Sequence, residues 1–281
     1  MKAENFAWLA KYLLDNTGLV LGADKMYLVE SRLGPIARKY DAAGLDALTD
    51  ALRAGRSADL KRDIIDAMMT NESFFFRDVK PFEQLRQVLL PRLLQMRAAQ
   101  RAIRIWCAAC STGQEPYTIA MILKEEESKL AGWRTEIIAT DLSHDALERA
   151  RAGVYSQFEV QRGLPIQLLV KYFTQNGDRW QIAPALRSMV QFRALNLLGD
   201  FAGLGMFDIV LCRNVLIYFD QATKTAILDR ISRVMQPDGY LFLGGAETVL
   251  GVSEKFAPVE NHRGIYELAA DAAGMRRAAG G

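Results

Sequence analysis

Apolar residues recur at helical spacing through the first 70 or so positions. Phe6, Leu9, Ala10, Leu13 and Leu14 share one face, and Met26, Val29, Leu33, Ile36 and Tyr40 repeat at alternating steps of three and four. "GLDALTDALRAG" and "SADLKRDIIDAMMTN" continue the pattern between glycine and serine boundaries. An all-helical domain over residues 1–70 is expected, joined to the rest by a linker and connecting helix over 71–100. From Arg101 the period changes. "IRIWCAA", "TEIIATD", "FDIVLCRN" and "GYLFLGG" read as buried strands, with helices beginning at Glu115, after Ser143 and after Asp220. That alternation predicts an α/β domain over 101–281, a parallel sheet covered by helices.

Two stretches break the alternation. "YFTQNGDRWQIAPALRSMVQFRAL" alternates polar and apolar residues about Asn176-Gly177, which predicts a hairpin and a small antiparallel β subdomain at about 172–195. "RGIYELAA" reads as a last strand, and "DAAGMRRAAGG" as a frayed tail. The longest apolar runs fall far short of the ~20 residues a bilayer span requires. The amphipathic N-terminus, with Glu4, Lys11 and Asp15 inside its apolar pattern, does not read as a cleavable signal.

Of 281 residues, 50% are hydrophobic and 24% charged, as in ordinary globular domains. A net charge of +2 gives no general attraction for nucleic acid, so any basic surface has to be local. Three cysteines, Cys107, Cys110 and Cys212, are too few for a disulfide framework and point to a reducing, cytoplasmic setting. Cys107 and Cys110 form a C-x-x-C without a second pair, so they read as small buried thiols and no metal is expected.

In open α/β sheets ligands sit beyond the carboxyl ends of the strands. Four polar clusters fall there: Ser111, Thr112, Gly113 and Glu115; Asp141; Asn196; and Asn214 with Tyr218. Each has a purely structural alternative, since Asp141 could cap a helix, the asparagines could be turn residues and Glu115-Pro116 could be first-turn helix chemistry. Together they describe an adenosine-type pocket, with Asp141 placed to accept hydrogen bonds from ribose hydroxyls. A dinucleotide's pyrophosphate needs close backbone approach and a helix N-terminus free of negative charge. Here a single glycine is followed by Glu115, an arrangement suited to a cationic ligand without phosphate, such as S-adenosylmethionine.

"NESFFFRD" (71–78), "RIWCAACSTGQEPYTIAM", "ATDLSHDALERARAGVY" and "FDIVLCRNVLIYFD" resemble the characteristic segments of the chemotaxis receptor methyltransferases of the CheR type, in the same order, over nearly the whole chain. The resemblance implies a Rossmann-like S-adenosylmethionine-dependent methyltransferase domain preceded by an all-α domain. It implies methylation of glutamate carboxylates on the cytoplasmic helical bundle of chemoreceptors, with S-adenosylhomocysteine as product. It assigns Asn71, Ser73, Arg77, Glu115, Asp141, Asn196, Leu197, Asn214 and Val215 to cofactor binding, with Ser73 standing where many members have threonine. Arg77 and Tyr218 are the candidates for orienting the substrate carboxylate.

For the receptor, Lys25, Arg32 and Lys39 recur every seven residues along the second helix, although Gly34-Pro35 predicts a kink there. Five arginines and no acid lie between Gln84 and Arg104, a second basic stretch. The short loop in "TQNGDRWQIA" is similar to that of members that work without a C-terminal peptide tether on the receptor, and a monomer is expected. Two rival readings stay open: a methyltransferase for nucleic acid or a small molecule, loosely echoed by "RNVLIYF", and a cofactor-binding sensor or scaffold without catalysis.

Overall fold

The computed structural model describes residues 1–55 and 57–270, so the expected tail "DAAGMRRAAGG" lies outside the described residues. Four helices, α1 (Ala3–Thr17), α2 (Met26–Lys39), α3 (Leu45–Arg53) and α4 (Ala58–Met68), pack about Phe6, Leu9, Leu13, Val29, Leu33, Leu48 and Ile64, the apolar positions read from the periodicity. The expected kink does not interrupt α2, which runs unbroken through Pro35.

The segment after α4 is helical from Lys80 to Met96. It becomes α5 (Lys80–Gln84), a π-helical turn over Leu85–Leu89, and α6 (Leu90–Met96). Pro91 has no N–H to continue the i−4 ladder, and Leu90 instead donates to Leu85 O, five residues back. Three of the five arginines read here as a basic stretch are used internally. Arg86 pairs with Glu126, Arg104 with Glu136, and Arg97 with both Asp208 and Asp238.

The remaining chain forms β1 (Ala102–Ala108), α7 (Gln114–Glu125), β2 (Arg134–Asp141), α8 (His144–Ala152), β3 (Val154–Ser156), α9 (Gln157–Gln161), α10 (Ile166–Tyr172), β4 (Phe173–Asn176), β5 (Arg179–Ile182), α11 (Pro184–Arg187), β6 (Val190–Ala194), β7 (Phe207–Cys212), α12 (Gln221–Arg233), β8 (Met235–Leu243), β9 (Phe256–Pro258) and β10 (Ile265–Leu268). The large sheet has the order β6-β2-β1-β7-β8-β10-β9, parallel from β6 to β8 and antiparallel at β10 and β9. Along β1, Ile103, Ile105 and Cys107 enter the core on one face while Trp106 and Ala108 enter the core on the other. Burial on both faces accounts for the continuous apolar runs.

The small sheet, β3-β5-β4, differs from the expected 172–195 subdomain. It recruits β3 from upstream, and Val190–Ala194 leaves it to become the edge strand beside β2. As an edge strand, β6 is buried at Val190 and largely exposed beyond it, so its sequence imitates an antiparallel strand. Phe75, fully buried, packs edge-on against Tyr155 and Phe173 and so plugs the connecting segment onto the small sheet. Burying such a ring contributes roughly 1.5–3 kcal/mol.

Candidate active site

Strand order reverses between β2 and β7 on either side of β1, which opens a crevice at the carboxyl ends of these strands. A cavity of about 1010 Å³, counting its open mouth, fills that crevice. Its floor comes from the ends of β1, β2 and β7. Thr17 and Leu19, after α1, and the segment from Met69 to Arg77 close over it.

The β1–α7 loop is wound tightly, with φ positive at Ala109, Ser111 and Gly113. Gly113 is required, because a Cβ there would lie 2.9 Å from Ala150 Cβ and hold α7 off α8. The loop is tied down at several points. Cys110 N–H donates to Thr140 O, Ser111 N–H donates to Asp141 Oδ2 at 2.7 Å, and the Tyr155 hydroxyl donates to Thr112 O at 2.8 Å. The buried Ser111 hydroxyl, by contrast, has no protein partner.

Asp141 sits at the end of β2 and accepts from Ser111 on one oxygen and from Ser143 N–H, at 2.9 Å, on the other. It does not cap α8. Ser143 does so by accepting from Ala146 N–H, and Asn71 Nδ2 from the connecting segment donates to the same hydroxyl at 3.2 Å. Burial pushes the Asp141 carboxyl above its ordinary range, against the pull of the N–H groups of Ser143, Ser111 and Leu142.

Glu115 does not meet the cavity as the bare anion inferred from sequence. Its Oε2 accepts from Arg213 Nη1 at 2.8 Å, and the Arg213 side chain is only 1% exposed. The other guanidinium nitrogen donates to Arg77 O and to Asp78 Oδ2, both at 2.8 Å. Burial raises the Glu115 carboxyl while Arg213 lowers it, with burial prevailing. Arg213 thus fastens the connecting segment to the first helix of the sheet domain. Sequence reading passed over it; the available signal was a lone guanidinium directly after six buried strand residues.

Among the residues singled out from sequence, Asn71, Ser73, Arg77, Ser111, Glu115, Asp141, Asn196, Leu197, Asn214, Val215 and Tyr218 line this one cavity. Arg77 donates to Glu72 O and lies 5.3 Å from the Phe74 ring. Asn196 donates to Asn16 O at the end of α1, and Tyr218 O accepts from Val20 N–H, so both cross to the helical domain. The donor set fits an adenosine-type group. Carboxylates and a free hydroxyl suit ribose and amino groups, and Leu142, Leu195 and Leu197 offer apolar walls to a flat base.

Lys25, Arg32 and Lys39 lie outside the cavity, and none projects unengaged. Arg32 donates to Met68 O, Met69 O and Thr70 Oγ1, Lys39 pairs with Asp63, and Lys25 lies 3.8 Å from Asp24. Because Met69 and Thr70 line the cavity, Arg32 braces one of its walls. All three cysteines are free and buried, and burial pushes each thiol well up. No helix among the described residues is long and apolar enough to cross a membrane.

Comparison with known proteins agrees over most of the chain. The family described as CheR methyltransferase, all-alpha domain, matches residues 4–69, and CheR methyltransferase, SAM binding domain, matches residues 71–265. Chemotaxis protein methyltransferase 1 of Pseudomonas aeruginosa is 43% identical over 271 residues, covering 94% of this chain and 98% of that one. Chemotaxis protein methyltransferase Cher2 of Pseudomonas putida is 41% identical over 265 residues, covering 93% and 96%. The chemotaxis protein methyltransferase of Vibrio parahaemolyticus is 41% identical over 263 residues, covering 92% and 94%. In both of its domains this chain belongs to the CheR methyltransferase family, the S-adenosylmethionine-dependent methyltransferases of chemotaxis.

Proposed function

We propose that the chain methylates glutamate side chains on the helical cytoplasmic bundle of chemoreceptors, producing methyl esters and S-adenosylhomocysteine. The observation that carries this reading is a cavity at the strand ends with Arg77 and Tyr218 in its wall, in a chain about 40% identical to chemotaxis protein methyltransferases over nearly its full length. Bound S-adenosylmethionine supplies an electrophilic methyl group. A glutamate carboxylate is ionised at pH 7, so the acceptor needs no general base and no proton has to move. The protein's work is to align the acceptor and keep the site dry.

Asn71, Ser73, Glu115, Asp141, Asn196, Leu197, Asn214 and Val215 hold the cofactor in this reading, while Arg77 and Tyr218 orient the incoming carboxylate. Lys25 and Lys39, on exposed parts of the helical domain, meet the acidic receptor surface, and Arg32 supports the cavity wall behind them. The β4–β5 turn is only two residues long, Gly177-Asp178, which leaves little room for a receptor tail to add as a strand. Recognition then rests on direct contact between a cytoplasmic monomer and the methylation helices.

Labelled S-adenosylmethionine incubated with candidate receptor bundles tests the proposal, followed by mapping of the modified residue. Label on glutamate that is released by mild alkali is the expected result. Alkali-resistant label, as on an amine or amide, overturns it.

A further inference from the structure

We infer that Glu247, which no sequence motif singled out, is a positioning residue that shapes the cofactor-facing corner at Asn214–Leu216. Its carboxylate accepts four backbone N–H groups: Asn214 and Gly244, each at 2.7 Å, on Oε2, and Val215 at 2.9 Å and Leu216 at 2.7 Å on Oε1. Four donors match the lone-pair capacity of an ionised carboxylate. Asn214 has φ of 60°, so the chain turns back at this point and three successive N–H groups converge as in an anion-binding nest. Here the protein's own side chain supplies the anion.

The fit is close. A Cβ on Gly244 would lie 2.5 Å from Asn214 Nδ2 and 2.8 Å from Glu247 Oε2, so any side chain there would push the Asn214 amide and the Glu247 carboxylate aside. The corner carries Asn214, Val215 and Tyr218 into the cavity wall, and it begins at Arg213, the partner of Glu115. Glu247 is absent from that wall, so its influence reaches the cofactor through the backbone it holds.

The inference rests on the reading that Asn214 and Val215 face the cofactor. Glu247→Gln keeps the shape but replaces one acceptor oxygen by an NH₂ group, which sets donors against donors. The expected result is a folded enzyme whose cofactor KM and calorimetric Kd rise by about tenfold or more, with receptor KM within about twofold. Glu247→Asp, which keeps the charge but shortens the reach, should fall between. Gly245→Ala is the control, since a Cβ there meets nothing within 4 Å, and all parameters should stay within about twofold. Cofactor KM unchanged in Glu247→Gln overturns the inference. Should that variant fail to fold, Glu247→Asp decides, because it keeps the charge and changes only the reach of the carboxylate: a raised cofactor KM supports the inference and an unchanged one overturns it. Asp141→Ala run in parallel separates the two readings. Loss of affinity there, with none in Glu247→Gln, refutes only the role of Glu247, whereas the reverse supports Glu247 and refutes Asp141 as a cofactor ligand.

Discussion

Replacing Arg213 by methionine removes the guanidinium while keeping much of the volume, and the structure sets the size of the effect. Glu115, 13% exposed, loses its counter-charge inside the protein, a loss that costs about 3–5 kcal/mol in buried pairs. The Asp78 arm adds little, because that side chain is 45% exposed and solvent already screens it. Taking about 3 kcal/mol and about 3 °C per kcal/mol for a domain of this size, Tm should fall by roughly 10 °C. The pH dependence carries the diagnosis. Glu115 already has its carboxyl raised by burial, so ionising it in the folded state costs stability as pH climbs from its unfolded pKa to its folded one. Without Arg213 the folded pKa rises further and the window of loss extends upward. The deficit of Arg213→Met against wild type should therefore grow as pH rises above the ordinary glutamate pKa of about 4.3, and shrink at acidic pH where Glu115 is protonated in both. Glu115→Gln, which needs no counter-charge, should restore at least half of the loss when combined with Arg213→Met. Thermal melts of the four proteins across this range provide the assay. A deficit independent of pH, or a double variant no better than Arg213→Met, would refute the pairing as the source of stability.

Asp141→Ala should weaken cofactor binding by about 1–3 kcal/mol, because Ser111 and Ser143 N–H lose their acceptor and the loop end slackens; calorimetry showing equal affinity would count against it. Arg32→Ala should raise cofactor KM through the Met69–Thr70 wall, whereas reversing Lys25 and Lys39 should raise only receptor KM and reduce its dependence on salt, as the kinetics of the two variants would reveal. Removing the last several residues of a receptor should leave its methylation rate unchanged, and micromolar binding of the free tail peptide would contradict the reading of the short β4–β5 turn.

Local pattern was enough for the helical domain, the five core strands' existence apart from β6, and the position of the loop at Ser111–Glu115. Each depends on neighbours a few residues away. The alternation of Ile103, Ile105 and Cys107 with Trp106 and Ala108 reflects a two-residue period that any strand buried on both faces must show. Val190–Ala194 misled for the complementary reason: an edge strand with one face in solvent carries the same alternation whichever sheet it joins, and only its pairing with β2, 50 or so residues upstream, decides. Charges were least legible of all. Nothing in the segments around Arg32, Arg97, Arg213 and Glu247 names their partners, which, Gly244 beside Glu247 apart, lie about 30 or more positions away in sequence. A charged side chain carries no local mark of the partner it will find, because the free energy of pairing depends on burial and distance that exist only once the sheet has brought its strand ends together. The sequence by itself determined which segments form this crevice and which acids and amides stand at it; the tertiary structure decided that Glu115 is paired with Arg213, that Arg32 faces inward to brace a wall, and that Glu247 holds the corner from behind.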